Sequence, residues 1–207
     1  MATVLKIGGD TTTDYMGLED DGSLVAYGDA TCYRDELQSL LIQAKNNPSD
    51  KIVVDFVEGT VAWEDNATTS DYALMNVQLN HDRKANSTVY PHVHWIQNQN
   101  ATPNWLIQYR LQQNGSATTT AWTDVPMVSN SFTYVSGNLN QISSTASGIS
   151  TTGAGVSSIL QFRIIRDTSN TSGEFAGADT YTGDADAFNF DVHVEVDMFG
   201  SREQFVK

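Results

Sequence analysis

Near the end of the chain, from Phe188 to Met198, apolar and polar residues alternate without a break. Successive side chains of a β-strand point to opposite faces, so this run admits one reading. Phe188, Phe190, Val192, Val194, Val196 and Met198 share one face, and Asn189, Asp191, His193, Glu195 and Asp197 share the other. The apolar face must be core, which places Phe190, Val192, Val194 and Val196 inside. Asp191, His193 and Glu195 then face away from the core, as a solvated row or a subunit interface. A strand of this length needs neighbours, and the pattern predicts that the rest of the chain supplies them.

Several other stretches carry strand signals. Ile52, Val54 and Phe56 alternate within 51–58, but Val53 and Val57 make the opposite face apolar too, which predicts a strand covered on both sides. Ala73, Met75, Val77 and Leu79 are expected to point inward. Val89–Gln97 and Trp105–Gln113 are expected to pair as a hairpin, with Asn114-Gly115 as the turn that ends the second. In Ile159–Arg166, Leu160, Phe162 and Ile164 share the inward face. The segment from Thr31 to Asn47 is the one helix expected: Asp35, Leu37, Leu40, Leu41 and Ile42 lie between a possible cap at Thr31 and a stop at Asn46-Asn47-Pro48. Residues 1–30 hold scattered apolar residues with no lasting period and read as an extended arm packed on a neighbour. The body is then 31–207. Together these signals predict an all-β fold: an antiparallel, jelly-roll-like β-sandwich with long loops, one short helix and an extended N-terminal arm.

Composition removes whole classes of function. Eleven Lys and Arg against 25 Asp and Glu give a net charge of −14, which argues against direct nucleic-acid binding. No apolar run reaches about 18 residues, so no membrane span or membrane partner is expected. The basic-then-apolar pattern of a signal peptide is also missing from the start of the sequence. The single cysteine, Cys32, excludes an internal disulfide and is expected to be a small buried side chain.

The strongest candidate for chemistry is His92-Val93-His94. Two histidines at i and i+2 lie on one strand face and could chelate a metal, as in cupin-type jelly rolls. The following residues, Trp95 to Asn100, supply no carboxylate as a third ligand. The expectation is therefore that His92 and His94 hold no metal and hydrogen-bond across to a neighbouring strand or subunit. Asp179, Asp184 and Asp186 lie in a Gly-containing loop that offers oxygens to Ca²⁺, without the spacing of an EF-hand. Trp63, Trp95, Trp105, Trp122 and Tyr109 could stack on sugars, but their positions within apolar strands favour core packing. No nucleophile elbow, P-loop or dinucleotide fingerprint is present. No catalytic residue and no cofactor is expected, and the protein reads as a non-enzyme.

Three stretches, Val89-Tyr90-Pro91-His92-Val93-His94-Trp95, Pro103 to Arg110, and the closing Phe199-Gly200-Ser201-Arg202-Glu203-Gln204-Phe205-Val206-Lys207, give the chain a family likeness. As a set they resemble structural proteins of tailed-bacteriophage virions, over residues 24–207. The resemblance implies a virion component assembled in the host cytoplasm, with the major capsid protein or other virion proteins as partners. A jelly roll with an arm suits a capsid decoration (cement) protein that binds and stabilises the outer surface of the shell, and a homo-trimer is expected. Tail, collar or head-fibre roles and a receptor- or carbohydrate-binding module are the alternatives.

Overall fold

A computed structural model describes residues 15–18, 24–27, 33–39, 42–43, 52–55, 59–65, 67, 71–125, 127, 135–145, 147–168 and 179–197. The strands in chain order are β1 (Tyr15–Leu18), β2 (Leu24–Tyr27), β3 (Tyr33–Ser39), β4 (Ile42–Gln43), β5 (Ile52–Asp55), β6 (Thr60–Trp63) and β7 (Tyr72–Gln78). They continue with β8 (Thr88–Ile96), β9 (Trp105–Gln112), β10 (Thr123–Asp124), β11 (Asn140–Ser143), β12 (Ile149–Ser150), β13 (Ile159–Arg166) and β14 (Ala185–Val196). Among the described residues there is no helix, and the strand pairings are antiparallel. One sheet has the order β10-β9-β13-β7-β4; the other runs β11-β8-β14-β6-β5, with β12 also on β8 and β3 also on β14.

The two sheets face each other across one core. Phe162 of β13 meets Phe190 of β14 with ring centroids 4.9 Å apart, and Trp105 of β9 meets Trp63 and Trp95 of the opposite sheet at 5.2 and 5.7 Å. All three indoles are buried, as the apolar strand contexts predicted. Ala73, Met75, Val77 and Leu79 point inward, and so do Leu160, Phe162 and Ile164. Each large apolar side chain withdrawn from water contributes about 1.5–3 kcal/mol.

β14 is the central strand of its sheet: β8 lies along one edge, and β6 and then β3 lie along the other. Phe190, Val192, Val194 and Val196 are buried as the alternation requires. Phe188 departs from it. The register with β8 runs Asp186↔Ile96 and Ala187↔Trp95, then resumes at Asn189↔His94, leaving Phe188 as the extra residue of a bulge. The bulge switches parity, so Ala185 and Ala187 are core before it and even-numbered residues after it. Phe188 is turned outward and is 43% exposed.

Three further expectations need correction. The helix over 31–47 is replaced, where the chain is described, by β3 and β4. β3 pairs with β14 from Ser39↔Phe190 to Tyr33↔Val196, and β4 pairs with β7 in the other sheet. Helix propensity is worth tenths of a kcal/mol per residue, and covering the open edge of a long central strand outweighs it. The hairpin of β8 with β9 is absent, because β8 and β9 belong to opposite sheets. The linker crosses the sandwich around Gln97, whose buried amide accepts from Trp95 Nε1 (2.8 Å) and donates to the Ala101 carbonyl (2.7 Å). Finally, β5 is covered on one side only: Ile52 is buried, but Val53 is 46% exposed. Phe56, Val57, Cys32, Thr31 and Met198 lie outside the described residues.

Within residues 1–30, expected to form an arm, β1 and β2 pair antiparallel with Tyr15 stacked on Tyr27 at 4.7 Å. The Ala26 N–H donates to the Asp197 carbonyl at 2.6 Å, just past the end of β14. Gly148 marks a tight approach before β12. It has φ +44°, and a Cβ there would sit 2.5 Å from the Val89 carbonyl oxygen and 2.6 Å from Thr88 Cγ2. Gly148→Ala should therefore cost about 1–3 kcal/mol, measured by urea unfolding.

Candidate functional site

The outer face of the β14 sheet gathers three of the four histidines, His92, His94 and His193. β8 carries His92 and His94 on one side, and the register sets His92 opposite Asp191, His94 opposite Asn189 and Tyr90 opposite His193. Asp191 thereby comes to lie among three imidazoles. Its Oδ1 is 2.9 Å from His94 Nε2, and its Oδ2 is 3.4 Å from His193 Nε2 and 3.7 Å from His92 Nδ1. The His92 and His193 rings meet edge-on with centroids 4.1 Å apart.

Asp191 is on the outer face, as expected, yet it is not solvated: the imidazoles cover it and leave 1% exposed. Burial pushes its carboxyl upward. The His92 and His94 rings beside its two oxygens more than offset this and hold it well below the usual carboxylate range. His92 is buried as well, and its Nδ1 has no hydrogen-bond partner among the described residues.

Beside the cluster opens a cavity of about 640 Å³, lined by His94, Asp191 and His193 together with Ile96, Leu139 and Phe188. Phe188 reaches this wall because the bulge turns it outward. Gln141 and Asn189 complete the lining. Among the described lining residues there is no serine, threonine, cysteine or lysine. The chemistry on offer is ligation by imidazole and carboxylate.

The other candidates resolve differently. Asp179 is already committed to a cation: its Oδ2 accepts from Arg166 Nε (2.9 Å) and its Oδ1 from Arg166 Nη2 (3.1 Å). It also accepts from the backbone N–H groups of Asn104 and Tyr181. That leaves no free oxygen pair for Ca²⁺ beside Asp184 and Asp186, and the Asp184 carbonyl accepts from the Tyr181 hydroxyl. Of the aromatic set, Trp63, Trp95 and Trp105 are core, and Tyr109 packs partly against it. Trp122 instead lies on the outer face of the β13 sheet, where the Arg110 and Arg163 guanidiniums stand 4.6 and 4.2 Å from its ring centre. Its ring is occupied by cations and offers no bare stacking platform.

Sequence reasoning found His92 and His94 but assigned them no third ligand. Asp191 and His193 lie about a hundred residues further on, and only the pairing of β8 with β14 brings them in. The available signal was the polar row of β14, which alternation alone leaves unassigned.

No protein-family model and no characterised protein sequence matches the chain. Among solved structures, it is similar to the N-terminal CBM22-1–GH10 modules of Clostridium thermocellum endo-1,4-β-D-xylanase 10B, complexed with xylohexaose, with 9% identity and a TM-score of 0.35. That alignment covers 83% of this chain and 27% of the xylanase chain. A likeness at this level carries no inference about ligand or activity.

Proposed function

We propose that this protein is a non-enzymatic structural component of a tailed-bacteriophage virion, a decoration protein that docks on the outside of the capsid through the outer face of its β14 sheet. The observation that supports this reading is a group of exposed apolar side chains on that face. Val53 and Ala62 are register neighbours on one side of Asp186, and Ile96 is its neighbour on the other, with Leu139 next to β11 beyond it. Phe188 stands beside it. Leu139 is 64% exposed, and Val53 and Phe188 are nearly half exposed. Clustered apolar side chains of this size mark a contact surface, since burying them against a partner releases about 25 cal/mol per Å² before ordering costs. The family likeness of the His92–Trp95 and C-terminal stretches supplies the virion context, and the sandwich is read as a jelly roll of that group, assembling as a trimer.

The sugar-binding alternative is weakened by the indoles, three buried and one capped by arginines. Two measurements test the docking reading. Leu139→Asp together with Phe188→Asp should leave melting within about 1 kcal/mol of the parent, because both sites are exposed, while abolishing incorporation into particles. Undiminished incorporation would refute the surface. Copy number per virion tests the role: a number that follows the capsid lattice supports decoration, and one that follows a single vertex places the protein in the neck or tail.

A further inference from the structure

We propose that His92 Nδ1, His94 Nε2 and the Asp191 carboxylate form a binding site for a divalent first-row transition ion of the zinc class, with the remaining coordination position opening into the cavity beside Phe188 and Leu139. The inference goes beyond the docking role and does not depend on it.

Three observations carry it. The first is convergence: one ligand atom from each of the three residues lies within 4.8 Å of the others. The second is spacing. A tetrahedral ion with bonds of about 2.0–2.1 Å holds its ligand atoms about 3.3 Å apart. The two Asp191 oxygens serve different histidines: Oδ1 stands 2.9 Å from His94 Nε2 and Oδ2 stands 3.7 Å from His92 Nδ1, separations of the same order as that edge. The second of these is too long for a hydrogen bond. The third is the buried His92 Nδ1, which makes no hydrogen bond among the described residues and lies 3.7 Å from Asp191 Oδ2. A buried polar atom without a partner is costly, and a metal bond removes that cost.

The donor set selects the ion. Two imidazoles and one carboxylate suit Zn²⁺, Co²⁺ or Ni²⁺, whereas Ca²⁺ and Mg²⁺ require shells of oxygen. His193, 3.4 Å from Asp191 Oδ2 at the cavity rim, steadies the carboxylate and is a positioning residue. The strongly acidic chain draws cations toward its surface. The site also explains how a chain without a third ligand next to His-x-His can still complete one. Strand pairing delivers the carboxylate from β14, whereas the local sequence does not.

The test uses the full chain, stripped with chelator and titrated with Co²⁺ alone and then with Zn²⁺ alone. The expected result is one ion per chain, a Co²⁺ visible absorption band typical of four-coordination, and displacement of Co²⁺ by Zn²⁺. Zn²⁺ at a hundredfold excess over Kd should raise Tm by about 5–10 °C, while Mg²⁺ and Ca²⁺ should not. His94→Gln, at the less buried of the two histidines, should weaken Zn²⁺ binding more than about tenfold and abolish the Co²⁺ band. Gln112→Ala, remote from the cluster, should leave both unchanged. Absence of a Co²⁺ band and of Zn²⁺ binding in the parent overturns the proposal without recourse to any variant. Binding that persists unchanged in His94→Gln overturns it as well.

Discussion

Arg166→Met should destabilise the fold by about 3–5 kcal/mol, read from urea unfolding, the cost of breaking a buried ion pair by removing one partner. Arg166 ends β13 with its side chain fully buried. Its Nε and Nη2 hold Asp179, its Nη1 donates to the carbonyls of Trp63 (3.2 Å) and Gly183, and its Nη2 donates to the Tyr181 carbonyl. One side chain thus ties β13 and the approach to β14 to the end of β6. Methionine fills comparable volume but leaves the Asp179 carboxylate buried with no cation. Adding Asp179→Leu to the same chain should recover part of the loss, since the uncompensated charge is then gone. The Asn104 and Tyr181 N–H groups would still lack their acceptor, so recovery stays incomplete. A single variant that unfolds within 1 kcal/mol of the parent would show that this network does not hold the two sheets together.

Val194→Asp should be as severe, costing several kcal/mol, because it places an unpaired charge in the closed space between the sheets. Val194 is 1% exposed and lies opposite Asp35 of β3 in the register. The same change at Phe188 should cost under about 1 kcal/mol, although the alternation puts Phe188 and Val194 on one face. The bulge between Ala187 and Asn189 separates the two outcomes. Melting of the two variants side by side checks the face assignment and the bulge together. Equal losses would mean that β14 runs without a register shift.

Local pattern determined much of this protein. The alternation of β14, β7 and β13 placed Val192, Val194, Met75, Val77, Phe162 and Ile164 in the core, because period-two burial depends only on the strand geometry of the residue itself. The all-β class followed from the same signal, and so did the burial of Trp63, Trp95 and Trp105. What failed were the statements that depend on a partner strand. The segment around Asp35 and Leu37 has helical propensity, yet it lies flat against β14 because that edge had to be covered. β8 and β9 look like a hairpin, yet the chain between them crosses to the other sheet. Phe188 reads as core, yet the mismatch with β8 extrudes it. The site follows the same division. His92 and His94 are legible because i and i+2 share a strand face. Asp191 becomes their partner only because β14 pairs with β8 in this register, and no local pattern records a register.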